Sequence, residues 1–146
     1  MKKTLTIIMI TLITIAIIVV FILAYNDDSN QLKRYLKKQG YTCNSSICSK
    51  TEKDIFYQVN YKEGIYFYES QKEIITIYKD RTNVEISKQS STICEFKKDD
   101  VKDLTTFTEE DTSNNCLTYL EKVNRLVKDF KQILVKSGAD ITKLSK

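Results

Sequence analysis

The sequence predicts an α+β domain behind an amino-terminal transmembrane helix. Three observations carry this. The first 25 residues are almost wholly apolar; a run of short alternating segments fills the middle; and an apolar stripe at helical spacing closes the chain. The expected fold is a short helix, an antiparallel β-meander of about 4–6 strands and a carboxyl-terminal amphipathic helix packed on the sheet. The expected divisions are a membrane segment over 1–25, an extracytoplasmic α+β domain over 26–138 and a flexible tail over 139–146.

Met1-Lys2-Lys3 precedes an uncharged stretch from Thr4 to Asn26, with its apolar core from Leu5 to Ala24. Twenty helical residues span roughly 30 Å, the hydrocarbon thickness of a bilayer. Thr6, Thr11 and Thr14 are tolerable there, because a helical Thr hydroxyl bonds back to its own backbone. The stretch is longer than the apolar region of a cleaved secretory signal, and Ile22 stands where a cleavage site prefers a small residue. It therefore reads as an uncleaved signal-anchor whose partner is the lipid bilayer, through residues 5–24. Lys2 and Lys3 favour a cytoplasmic amino terminus. Lys33, Arg34, Lys37 and Lys38 follow the other end closely, so the positive-inside count does not decide orientation.

The cysteines decide it. Cys43, Cys48, Cys94 and Cys116 all follow the membrane segment, and their number is even. Cys43 and Cys48 flank a tight reversal, Asn44-Ser45-Ser46-Ile47; Cys94 follows the strand region and Cys116 opens the last helix. Pairing 43–48 and 94–116 is the most economical of the three connectivities. Such bridges persist outside the cytoplasm, which places the domain there. The gaps are too wide for a four-cysteine zinc site, and no C-x-x-C redox pair is present.

In the domain, Asp28 is expected to cap a helix over 29–39, with Gln31 as its reciprocal partner and Leu32, Tyr35 and Leu36 on one face. Gly40 ends it, and Tyr41 folds back on Leu36. Strands are expected over 41–43, 47–50, 55–61, 65–69, 74–79 and 84–88. Lys62-Glu63-Gly64 reads as a hairpin loop with Gly64 left-handed. The polar region 89–115 reads as an irregular crossover, with room for a short strand or helical turn, anchored by Ile93, Phe96, Val101, Leu104 and Phe107. From Cys116 to Ser137, Leu117, Leu120, Val123, Val127, Phe130 and Leu134 keep helical spacing, with Leu126 and Ile133 widening the stripe.

Composition excludes much chemistry. The chain has no His, so His-dependent nucleophilic catalysis and His-ligated metal are out, and three Gly cannot build a phosphate loop. The 23 basic and 19 acidic residues are interspersed, so no electrostatic footprint for nucleic acid appears. Heavy use of Ile, Lys, Asn and Tyr matches an AT-rich bacterial genome and says nothing of function. Glu109-Glu110-Asp111 and Asp99-Asp100 are the candidate carboxylates, but neither has calcium-loop spacing. Lys33, Arg34, Lys37 and Lys38 read as a solvated helix face within reach of anionic lipid heads or wall polymers.

Tyr57, Tyr61, Tyr66, Phe67, Tyr68 and Tyr78 cluster in the meander. Tyr is a good strand former, which alone explains most of them. Tyr66 and Tyr68 share a face; if that face is open, they form a binding surface for sugars, bases or peptides. The expected protein is thus a membrane-anchored, disulfide-stapled binding module without catalysis. No cofactor, metal or small-molecule substrate is implied, and its partner is another envelope protein or a wall polymer. The alternatives are a cytoplasm-facing adaptor with reduced thiols, an envelope enzyme using carboxylates, and a pilus-like assembly subunit. An apolar helix ahead of an antiparallel sheet is similar to the plan of pilins and pseudopilins. The chain departs from it in lacking a Gly before the apolar run and a Glu at its fifth position.

Overall fold

A computed structural model of the chain describes residues 2–25, 27–78, 83–89, 91–98 and 104–138. Apolar side chains without a polar face make helix α1, Lys2–Tyr25. Its segment Ile7–Tyr25 has a mean hydropathy of 3.3 and none of it is buried by the rest of the chain. By length and composition it is able to cross a membrane. Thr11 and Thr14 donate to the carbonyls of Ile7 and Ile10, at 2.5 and 2.7 Å, so their hydroxyls are satisfied within the helix itself.

Asp27 is extended (φ −61°, ψ 133°) and separates α1 from α2, Asp28–Lys38. The helix thus starts one residue earlier than expected. Its N-cap is Asp27 rather than Asp28, and no side-chain capping bond forms there. The last carbonyls of α1 are met from α2: Asn30 Nδ2 donates to Ala24 O and Arg34 Nη2 to Tyr25 O, both at 2.7 Å. Gly40 takes φ +84° and lets Tyr41 N reach Leu36 O at 3.0 Å, the expected fold-back.

The sheet has seven strands in sequence order, each antiparallel to the next. They are β1 (Thr42–Asn44), β2 (Ile47–Glu52), β3 (Ile55–Asn60), β4 (Ile65–Glu69), β5 (Ile74–Tyr78), β6 (Asn83–Lys88) and β7 (Ser91–Lys97). Short turns force this meander. Ser45, Lys53, Asp54 and Gly64 supply the positive φ that tight reversals need. The seventh strand takes the count just above the expected 4–6 and lies in the region 89–115, which the sequence predicts to be an irregular crossover with at most a short strand or helical turn. Gln89 makes the β6–β7 reversal at φ +50° without a Gly-containing turn signal. A bulge at Ile86/Ser87 then breaks the alternation of β7 and leaves Ile93 exposed.

One face of the sheet is covered. Cys48, Val59, Ile75, Ile77, Val84, Ile86 and Phe96 on that face are buried. Over them lies α3, Leu120–Ser137, with Val123, Leu126, Val127, Phe130 and Leu134 buried beneath it. Helix α2 packs beside α3 and brings Leu32 and Leu36 into the same core. The last helix begins later than predicted: Asn114–Tyr119, including Cys116, form a 3₁₀ segment before the α-helix opens at Leu120. Ahead of it, Leu104 and Phe107 are buried anchors, as expected. Asn124 of α3 clamps the Phe107 backbone in both directions, accepting from its N–H at 2.7 Å and donating to its carbonyl at 2.8 Å. The expected tail over 139–146, and the anchor Val101, lie outside the described residues.

Candidate functional site

Which residues can meet a ligand follows from which sheet face is covered. Tyr66 and Tyr68 point to the covered side: they are 3% and 5% exposed, and the Tyr66 ring stacks on Phe130 of α3 at 5.2 Å. They are therefore no open binding surface. Strand β4 reads Ile-Tyr-Phe-Tyr-Glu, with large rings or aliphatic groups on both faces, so alternation alone does not say which side α3 takes. The opposite side, with Ile65 and Phe67, is the partly open one.

The rings of Tyr66 and Tyr68 nevertheless back two concave features beside α3. The more aromatic one, about 320 Å³, opens where α2, α3 and the outer strands β2–β4 meet. Tyr35 and Gln39 line it from α2, Tyr41 from the following turn, and Lys50, Glu52, Tyr57 and Tyr66 from the sheet; α3 adds Asp129, Gln132, Ile133 and Lys136. Local order follows from the registers. Lys50 stands opposite Tyr57, and Tyr57 opposite Tyr68, so the covered face continues past the edge of α3 as a row of amphipathic side chains. Tyr57 stacks with Tyr66 at 6.5 Å and meets Tyr68 edge-on at 5.6 Å. The Lys50 ammonium lies 5.0 Å from the Tyr41 ring and 5.5 Å from that of Tyr57.

Burial sets the electrostatics. Desolvation pushes Tyr41 up to about 12, partly opposed by a hydrogen bond with Tyr66. Burial raises Tyr66 further, with the Tyr41 phenol and the Asp129 carboxylate adding to it. Tyr57 is raised by desolvation and then by Tyr68. The cleft therefore presents neutral phenols, two amides, and two cations set against two carboxylates. Such a lining suits hydrogen bonding and ring stacking with a polar, near-neutral ligand.

The titration has a consequence for stability. Unfolded Tyr ionises near 10. Phenols raised in the folded state favour folding below that value, and the contribution is lost as pH climbs through the folded values, from about 10 past 12. We expect phenolate absorbance to show a late phase that coincides with loss of the β-sheet signal. Titration of all nine Tyr near pH 10 with the fold intact would contradict the buried phenol pair.

The second feature lies on the other side of α3. Glu73, 9% exposed, pairs with Lys122, whose ammonium stands 4.6 Å over the Tyr68 ring. Burial works against the charge on Lys122, but hydrogen bonds to Glu73 and Tyr68 hold it above the usual lysine range. This is a fastening of α3 to the β4–β5 turn region.

The candidate carboxylates separate. Asp99 and Asp100 lie outside the described residues. Glu109 and Glu110 are exposed, while Asp111 accepts from the Thr108 N–H at 2.6 Å and lies 3.4 Å from the Lys98 ammonium. Burial alone would raise Asp111; those partners lower it instead. The acidic run thus closes a 3₁₀ turn. The cysteines pair as the sequence implied, Cys43 with Cys48 and Cys94 with Cys116.

No protein-family model, curated protein or solved structure matches this chain. The cleft's own chemistry is thus what a functional reading must rest on. Of the cleft's tyrosines, the sequence cluster held Tyr57 and Tyr66 but not Tyr35 and Tyr41, and it missed Lys50, Glu52, Asp129 and Lys136. They sit at ordinary polar positions of β2 and α3 and converge only through tertiary packing.

Proposed function

We propose that the chain is a single-pass, membrane-anchored binding protein of bacterial type, with a disulfide-stapled α+β domain held outside the cytoplasm. The observation that carries this reading is the pairing of all four cysteines in a domain that follows one helix apolar and long enough to span a bilayer. Disulfides persist in oxidising compartments, and an anchor with a cytoplasmic amino terminus delivers its domain to one. The domain acts by recognition rather than catalysis, and its ligand sits in the tyrosine-lined cleft. Neutral phenols, amides and balanced charge favour a polar envelope component, an exposed protein segment or wall polymer, over a strongly anionic one. A pilus-like role finds less support, because the extended Asp27 interrupts what would be one continuous helix.

The test is labelling of intact cells with a membrane-impermeant maleimide, with and without prior reduction, read by mass. Four labels only after reduction are expected. Four labels in lysate without reductant, and none in intact cells, would overturn the reading in favour of a cytoplasm-facing adaptor.

A further inference from the structure

The membrane-proximal end of the domain carries a third concave site that the tyrosine cleft does not explain. It measures about 420 Å³ and is lined by Tyr25, Gln31, Arg34, Tyr35, Lys38, Lys136 and Ser137. Tyr25 is the last residue of α1, Arg34 and Lys38 lie one turn apart on α2, and Lys136 comes from the end of α3. The lining thus holds three cations and, among the described residues, no carboxylate. Lys38 and Lys136 form no ion pair among the described residues. Lys136 also borders the tyrosine cleft, but on this side three positive charges from two helices face no carboxylate in the lining and repel one another, and an anion in the cleft would relieve that repulsion.

The position of the site identifies the anion. Arg34 donates to the Tyr25 carbonyl at 2.7 Å, and its guanidinium stacks on the Tyr25 ring at 3.7 Å. Asn30 adds a second tie to Ala24, so the cleft is fastened to the end of α1. A helix of 24 residues is about 36 Å long, slightly more than the roughly 30 Å hydrocarbon layer. An exposed Tyr at its end sits at the aromatic belt, level with the lipid headgroups.

We infer that Arg34, Lys38 and Lys136 form a binding site for the phosphate of an anionic phospholipid in the leaflet next to the domain. This rests on the reading that α1 crosses the bilayer. Arg34 offers a planar fork of donors and the two lysines offer mobile point charges, while Tyr25 and Tyr35 flank the headgroup. Of the four cations clustered after the membrane segment, Lys33 and Lys37 do not line the site. Lys136, roughly a hundred residues later in the chain, completes it.

The test uses the full chain. It is first reconstituted into vesicles of phosphatidylcholine with phosphatidylglycerol and washed with alkaline carbonate; release of the chain would sink the anchoring reading itself. The chain retained in neutral detergent is then titrated with each lipid and read by native mass spectrometry. Phosphatidylglycerol is expected to bind roughly a hundredfold more tightly than phosphatidylcholine, from about fivefold per basic side chain. Arg34→Gln, Lys38→Gln and Lys136→Gln together should abolish the preference. Lys53→Gln, Lys72→Gln and Lys88→Gln, which remove equal charge from exposed positions outside the cleft, should retain it. Equal retention of the two lipids, or equal losses in the two triple variants, overturns the site. Displacement of the lipid by millimolar soluble glycerol phosphate would make it a site for free phosphate esters and overturn the lipid assignment.

Discussion

Phe130→Ala is expected to destabilise the domain by about 3–5 kcal/mol, a large part of the 5–15 kcal/mol that holds a domain of this size together. Phe130 is 1% exposed at the centre of the α3 stripe, and its ring lies against Tyr66 at 5.2 Å. Removing it takes away apolar burial, an aromatic stack and the lid over the Tyr66 phenol together. The neighbours cannot collapse into the gap. Tyr66 is held by its strand, paired on both sides with Val59 and Ile77, and Leu126 and Leu134 are fixed one turn away on the same helix. Thermal unfolding followed by the near-ultraviolet tyrosine signal should move down by more than about 10 °C, at roughly 4–8 °C per kcal/mol. Val135→Ala on the same helix is the control. Val135 is 63% exposed, so its loss should lie within about 0.5 kcal/mol. Equal effects at the two positions would mean that α3 does not cover the sheet.

Phe130 also marks how far the fold could be read from the residues. The i, i+3, i+4 stripe on α3 and the alternation through β3 to β6 are local signals, because periodicity records the direction in which each side chain points. The covered face of β4 was not legible. Its Tyr and Phe residues are apolar enough for either side, and only the docking of α3 decides between them. Strand β7 was legible only as a short strand or helical turn within an irregular crossover, for a related reason. Its sequence, Ser-Thr-Ile-Cys-Glu-Phe-Lys, buries only Cys94 and Phe96, and the bulge shifts their phase. Both clefts were less visible still. Lys50 and Asp129, or Arg34 and Lys136, are distant in sequence and polar, and no spacing rule links them. What the residues did carry was the tether between distant elements, because cysteines advertise a contact that lysines do not.

That tether supports the second large expectation. Reducing the Cys94–Cys116 bridge should cost about 3 kcal/mol, from the entropy of a loop with a sequence separation of 22. Cys43–Cys48, with a separation of 5, should contribute less. Thr42↔Ser49 and Asn44↔Ile47 already hold that hairpin in register without the bridge. Beside the larger bridge, among the described residues, stands a single isolated antiparallel bridge, Phe96↔Thr112, rather than a hairpin register. The disulfide joins β7 to the 3₁₀ segment from which α3 departs, across a stretch anchored chiefly by Leu104, Phe107 and the Thr112–Glu95 bond. Cys94→Ala with Cys116→Ala should therefore lower the melting temperature by more than about 10 °C, whereas Cys43→Ala with Cys48→Ala should lower it less. Melting that ignores reductant, with all four thiols shown free by mass, would mean that the bridge constrains nothing. If the loss appears as expected, the position of α3 depends on an oxidising compartment. Both clefts depend on that helix too, since Asp129 lines one and Lys136 lines both. A reduced chain would then lose the geometry of both clefts along with stability, and the recognition proposed for them would be confined to a compartment where the cysteines stay paired.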